Sequence, residues 1–346
     1  MSESYWRKHY QALRSALGPW KPSGNSEERP ATPKDYLLSI QENRYLAREE
    51  RKATARVVTE DAKINHLFNL FEETINRYPA TPPKKAEPAD SRARQSIVAL
   101  LGDIHYGLSY ANSVGVYNSS IAKKRMDRYL ARLLEARDNA DSIVVVLLGD
   151  LISGRIHKSL QIENRENVVE QIIGISEVIS EFLWQLAAAY SEVKIVSVSG
   201  NHSRLDDNAL AAPRGEKLDV LIPWYCKTKL AFIENVEFIQ NIDDSIAVFE
   251  CRGKTFAAVH GDYDDNQSFS AQHISRLIKQ PIDVMLSGHM HVPEMRFEDI
   301  IYIRNGSLCG SGDEYTVKKR LFSPPYQVYF AVTDNGVHSF TPVMLN

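Results

Sequence analysis

The sequence predicts an α/β domain preceded by a helical extension, and three observations carry that reading. From residue 96 onward, short apolar runs of strand length alternate with longer stretches of helical composition. Each of the first three runs, residues 96–101, 143–148 and 194–199, is followed at once by a Gly-Asp or Gly-Asn step. Before residue 96, apolar residues recur instead at three- and four-residue intervals.

In the extension, Trp6, Tyr10, Leu13 and Leu17 stand at helical spacing with His9 beside Tyr10, and Gly18-Pro19 ends the run. Residues 21–34 are polar and contain proline, as a linker does. Residues 35–78 have few helix breakers, and Ile64, Leu67, Phe68, Phe71 and Ile75 give an amphipathic face near the end. Four prolines within residues 79–88 mark an exposed connector. The expected organisation is a helical extension over residues 1–78, a linker over 79–95 and the α/β domain over 96–346.

Within that domain, residues 121–139 and 168–190 read as helices between the first three strands. Strand–helix–strand alternation requires crossovers and therefore implies a parallel sheet. Later strands, at 245–250, 255–259, 284–287, 300–303, 328–333 and 337–341, lie closer together. Asp334-Asn335-Gly336 is a hairpin turn between the last two, so this end is expected to be mostly antiparallel.

Composition narrows the function classes. A hydrophobic content of 43% with 25% charged residues suits a globular chain. The longest unbroken apolar run, 143–148, is too short to span a bilayer, and no membrane partner is expected. The first eight residues are polar and aromatic rather than basic then apolar, so no secretory signal is visible. Cys226, Cys251 and Cys309 are odd in number and form no CxxC pair, which argues against a zinc ribbon or disulfide framework and for a reducing, cytoplasmic setting. Residues 1–95 carry 17 Lys and Arg against 13 Asp and Glu, the remainder 24 against 31. Neither half is basic enough to mark a nucleic-acid binder by charge alone.

The chemistry-bearing residues all stand just past predicted strands, where loops of α/β sheets converge on ligands. They are Gly102-Asp103-Ile104-His105, Gly149-Asp150, Gly200-Asn201-His202, His260-Gly261-Asp262 and Gly288-His289-Met290-His291. Taken singly, a Gly-Asp step is most often a turn, and one His-x-His pair fills only half a coordination sphere. Together they hold five of the ten histidines, each at a strand end, which a purely structural role does not explain. Mixed nitrogen and oxygen donors suit manganese, iron or zinc better than a purely hard cation.

The order D-x-H, G-D, G-N-H, H and G-H-x-H resembles that of the calcineurin-like metallophosphoesterase superfamily, over residues 96 to about 310. The resemblance implies a sandwich of two mixed β-sheets flanked by helices, with two divalent ions at one edge, manganese foremost and iron, zinc or magnesium as alternatives. Carried over by motif, Asp103, His105 and His291 bind one ion, Asn201, His260 and His289 the other, and Asp150 bridges them. A hydroxide between the ions would attack phosphorus. His202 would stabilise the phosphate and protonate the leaving oxygen as general acid; a role in orienting a ligand is the alternative.

Two departures from the family pattern stand out. Ser203 occupies the place where an acidic residue often orients the histidine, so either Asp206 or Asp207 takes that role or His202 is oriented otherwise. The run from Leu151 to His157 replaces the usual Asp or Asn, and there Arg155 or His157, like Arg204 beyond, could reach substrate phosphate. Asp262 reads as a turn residue or a support for the ligands. The Gly/Ser-rich segment 305–315 reads either as an anion-binding loop or as a flexible connector. It and the Gly149–Gly154 run resemble phage and prophage metallophosphoesterases, and the motif order that of DNA-repair exonucleases.

A phosphodiesterase or nuclease acting on DNA or nucleotides is therefore the first expectation. Trp6, Tyr5, Tyr10 and Trp20 on the basic extension could stack on bases, although the extension could instead pack on the domain or form a homo-oligomer. A phosphomonoesterase uses the same centre with different pocket walls. Arg214, Lys217, Trp224, Tyr225 and Lys227 supply a cationic, aromatic candidate wall. A non-catalytic scaffold would be expected to have lost ligands, and none of the matched positions is missing.

Overall fold

The computed structural model describes residues 95–156, 162–205, 216–264 and 267–346. The predicted helical extension, nearly all of the linker, His157, Asp206, Asp207 and Arg214 lie outside the described residues.

Two sheets face each other. The first has the strand order β13-β12-β1-β4-β5-β6. Its centre is β1 (Gln95–Leu101), β4 (Ser142–Leu147), β5 (Glu192–Ser197) and β6 (Val236–Phe238), all parallel. The crossovers run through α1 (Ser119–Ala136), α2 (Val168–Ala189) and α3 (Leu221–Lys229). On its other flank, β12 (Tyr326–Thr333) and β13 (Gly336–Met344) form the predicted hairpin, with β12 antiparallel to β1. A small hairpin of β2 (Tyr110–Ala111) and β3 (Val116–Tyr117) lies between β1 and α1.

The second sheet runs β10-β11-β9-β8-β7. It comprises β7 (Ile246–Cys251), β8 (Lys254–Val259), β9 (Val284–Ser287), β10 (Glu294–Phe297) and β11 (Ile301–Arg304). The expectation of a mostly antiparallel end holds over the later strands, with β12 antiparallel to β1 and β13, β7 to β8, and β10 to β11. Two pairings are exceptions: β8 and β11 both run parallel to β9; α4 (Gln267–Ile278) makes the crossover between β8 and β9, and β10 intervenes between β9 and β11. The sequence shows that helix poorly: of its twelve residues only Ala271 and Ile274 are buried. The whole is the expected sandwich of two mixed sheets with flanking helices.

Alternation along β1 shows why the sheets must sandwich. Ile97, Ala99 and Leu101 join the core beneath the helices, while Val98 and Leu100 face the second sheet with Phe256, Leu286 and Phe330. A strand buried on both faces reads as a continuous apolar run, which SIVALL does. Asn118 caps α1 by accepting from the Ile121 N–H, and Asn167 with Glu170 forms a capping box on α2. By length and composition α2 could cross a membrane. Its apolar face is instead used in the core, through Ile172, Ile175, Ile179, Phe182, Leu183 and Leu186.

Candidate metal centre

The strand ends that carry the sequence motifs meet at one edge of the sandwich. The turns after β1, β4 and β5 come from the first sheet, and those after β8 and β9 from the second. These turns are strained. Nine described non-glycine residues have positive φ, and Asp103, His105, Asp150, His289 and His291 are five of them, at 49° to 65°. Conformations of this kind cost about 1–3 kcal/mol each and persist where the surroundings over-determine them, as at functional sites. The turns also touch: a Cβ on Gly200 would lie 2.0 Å from Asp150 Oδ1, so only glycine fits.

In one group, His105 Nε2 lies 3.2 Å from His291 Nε2, and His291 Nε2 lies 3.3 Å from Asp103 Oδ1. Asp103 is fully buried, and its Oδ1 accepts no hydrogen bond. In the other group, His260 Nε2 is 3.1 Å from Asn201 Oδ1 and 3.2 Å from Asp150 Oδ2. Asp150, His260 and His289 place their donor atoms within 4.8 Å of one another, as do Asp150, His105 and His202. Asp150 therefore stands between the two groups.

Proton placement suits cation binding. His260 Nδ1 donates to the Leu148 carbonyl at 2.7 Å, which turns the Nε2 lone pair toward Asn201 and Asp150. Burial alone would raise the Asp150 carboxyl, but the imidazoles of His260, His202 and His105 outweigh it and hold it well below the usual range. Burial, with His202 next, lowers His105 well below an ordinary imidazole. A buried orphan oxygen beside convergent imidazole nitrogens and carboxylates is the donor set a divalent ion takes. The residues present fit such an ion.

Among the described residues, His202 is held by Ser153 and Asp150. Its Nδ1 donates to the Ser153 carbonyl at 2.9 Å, its N–H to Asp150 Oδ1 at 2.8 Å, and its Nε2 lies 3.9 Å from Asp150 Oδ2. Its ring meets that of His105 edge-on at 4.5 Å. Ser203 is buried and bonds the Gly200 carbonyl. Among the described residues, the group on Nδ1 is a backbone oxygen from the unusual Leu151–His157 run.

Several expectations are corrected. Lys217 and Tyr225 do not line an open wall: Lys217 is buried and donates to the Ser199 carbonyl, and Tyr225 is buried with its hydroxyl on Glu177. Only Trp224 and Lys227 of the described wall residues are exposed. Arg204 is half-buried, its backbone paired with Lys217. Asp262 lies in the turn after His260, one of its oxygens buried without a hydrogen bond. The 305–310 segment is no flexible connector. It is buried, with Leu308 N–H and Ser307 Oγ both donating to the Asp103 carbonyl.

Sequence reasoning missed four supporting residues. Asp219 accepts the N–H groups of Asp150 and Gly200. Gln327 bonds both the N–H and the carbonyl of Gly102, and Asn305 bonds Gln327 and the Val328 N–H. Cys309 lies against His105 and His291, burial pushing its thiol up to about 12. Their partners are distant in the chain, so no local spacing marks them.

Comparison with known proteins gives a consistent result. Residues 97–319 match the calcineurin-like phosphoesterase superfamily domain. Among solved structures, the chain is similar to an archaeal phosphodiesterase at 13% identity, with 72% of this chain and 99% of that one covered and a TM-score of 0.40. It is also similar to a predicted phosphoesterase from Streptococcus pneumoniae at 14% identity, covering 72% and 98%, with a TM-score of 0.30. A Vps29 variant from Entamoeba histolytica matches at 11% identity, covering 72% and 99%, with a TM-score of 0.31. No curated protein matches the chain.

Proposed function

The chain belongs to the calcineurin-like phosphoesterase superfamily, a hydrolase of phosphate esters, and from that premise we propose that it cleaves phosphodiesters in nucleic acids or nucleotides with two divalent cations. In this reading Asp103, His105 and His291 hold one ion, Asn201, His260 and His289 the other, and Asp150 reaches both. The observation that carries it is the position of Asp150, which shares one cluster with His260 and His289 and another with His105 and His202. When bound, two such ions acidify a water held between them and neutralise phosphate oxygens during in-line displacement.

The chain's own residues do the rest. Asp219 and the Leu148 carbonyl hold Asp150 and His260 in place. His202, fixed through Nδ1 by Ser153, turns Nε2 toward Asp150 and gives its proton to the leaving oxygen. Arg204 stands two residues from His202 and is the nearest candidate in sequence for the substrate phosphate. A nucleic-acid substrate is favoured by the resemblance to phage enzymes. It is also favoured by the exposed Tyr315, Lys318, Lys319, Arg320 and Phe322, on a segment whose Ser323 Oγ donates to the His291 carbonyl.

The test is a panel of bis-p-nitrophenyl phosphate, p-nitrophenyl phosphate, cyclic nucleotides, and single- and double-stranded DNA with manganese. Diester cleavage should exceed monoester cleavage, DNA should be cut, and Asp150→Ala should abolish all of it. A monoester preference would overturn the diesterase reading. Bound metal without turnover on any substrate would make the chain a scaffold.

A further inference from the structure

Cys309 is the only one of the three cysteines near the candidate metal centre. Cys226 lies in the helix Leu221–Lys229 beside Ser180, and Cys251 ends β7. Cys309 Sγ, His105 and His291 place their donor atoms within 4.8 Å of one another. Two further observations at the same point call for a cation. The imidazole nitrogens of His105 and His291 converge to 3.2 Å, a separation typical of two donors on one ion. Asp103 Oδ1, fully buried, has no hydrogen bond and lies 3.3 Å from His291 Nε2.

We propose that Cys309, as a thiolate, is a further protein ligand to the ion held by Asp103, His105, His291 and the shared Asp150, and that it makes this position prefer zinc or iron(II) over manganese or magnesium. The proposal rests on the metal-centre reading above and adds to it a ligand and a selectivity.

The distances allow it. Zinc holds imidazole nitrogen at roughly 2.0–2.1 Å and thiolate sulfur at roughly 2.3 Å, so neighbouring donors around one ion lie about 3–3.5 Å apart. In this proposal the sulfur closes in from within 4.8 Å by turning about its Cα–Cβ bond. The Cys309 carbonyl is pinned by the Tyr110 hydroxyl at 2.7 Å and by Arg125 Nη1 at 2.8 Å.

The exchange balances. The incoming ion takes a sulfur lone pair, the S–H bond breaks, and the proton passes to solvent. The S–H contact to the Gly310 carbonyl, 3.2 Å, is given up. The Ser307 hydroxyl, 3.0 Å from the sulfur, would turn its one proton from the Asp103 carbonyl to the thiolate, leaving that carbonyl the Leu308 N–H. Arg125 adds positive charge nearby. Soft thiolate among imidazole and carboxylate shifts a site from hard oxygen-seeking ions toward zinc and iron.

Cobalt(II) loading of the full chain tests this independently of turnover. Thiolate coordination gives an intense near-ultraviolet sulfur-to-cobalt charge-transfer band, in addition to the weak visible d–d bands of any bound cobalt. The band should be present in the wild type, Cys226→Ser and Cys251→Ser. It should vanish in Cys309→Ser while the d–d bands persist. Zinc-over-manganese preference, measured by competition, should fall in Cys309→Ser by at least about the 10–100-fold known for loss of a metal's outer-shell partners. Cobalt bound with d–d bands but no charge-transfer band in the wild type overturns the proposal and leaves the two-metal reading standing, whatever the variants do. Failure to bind cobalt at all overturns both.

Discussion

Asp219 accepts two backbone N–H groups, from Asp150 at 3.1 Å and from Gly200 at 2.9 Å, and so joins the turns that carry two candidate ligands. Burial first, and the Asp150 charge next, push its carboxyl up to about 6. An acid raised in the folded state stabilises fully below its unfolded value near 4 and loses that contribution as pH climbs through 6. In chelator-treated protein, the stability of wild type relative to Asp219→Asn should therefore fall by roughly 3 kcal/mol between pH 4 and pH 7. Parallel denaturant titrations at the two pH values measure it, and a difference flat with pH would refute it. Asp219→Ala leaves two buried N–H groups unmet and should lose roughly 2–4 kcal/mol near pH 4, with the difference from wild type shrinking toward pH 7 as it does for Asp219→Asn. His202→Ala, by contrast, should keep its metal and lose about 10²–10⁴ in kcat, most on substrates with poor leaving groups; lost metal, by elemental analysis, would make it a ligand instead. Asp150 was legible because a glycine and a strand end frame it. Asp219 was not, since its partners stand 69 and 19 residues away.

The elements divide in the same way. Strands buried on both faces announce themselves, and β9 falls on residues 284–287 as expected. The boundaries of α2 differ from expectation by one residue. What escaped was short or mostly polar: the two-residue strands β2 and β3, the intermediate and exposed β10, and α4 with its two buried residues. Packing, not local pattern, specifies these. The brace at the end of β1 is a further case, because Gln327 on β12 bonds Gly102 on both its polar backbone groups across the sheet. Gln327→Leu leaves those groups and Asn305 Nδ2 without their partner and should destabilise by roughly 2–4 kcal/mol, read as a fall in denaturant midpoint. Gly200→Ala meets Asp150 Oδ1 at 2.0 Å. It should abolish metal retention even where circular dichroism shows the fold intact.

Across the whole molecule, the candidate ligands come from both layers. Asp103, His105, Asp150 and Asn201 follow strands of the first sheet, whereas His260, His289 and His291 follow strands of the second. Protein bonds already cross this edge: His260 Nδ1 to the Leu148 carbonyl, and the His289 N–H to Asp103 Oδ2 at 3.0 Å. Ions bound between the layers would join them further, and only in the folded state, since the unfolded chain separates residues 103 and 291. At a free-ion concentration 100 times Kd, each site then adds about 2.7 kcal/mol to folding stability. For a domain of this size that raises Tm by roughly 5–10 °C per ion. Scanning calorimetry with zinc or manganese, against chelator, should show that gain. The increment should shrink by half in His289→Ala, which removes a donor from one site, and disappear in Asp150→Ala, which removes the group between the two. Equal metal-induced gains in both variants and wild type would mean that the ions bind elsewhere on the surface, and that the two sheets are held at this edge by protein bonds alone.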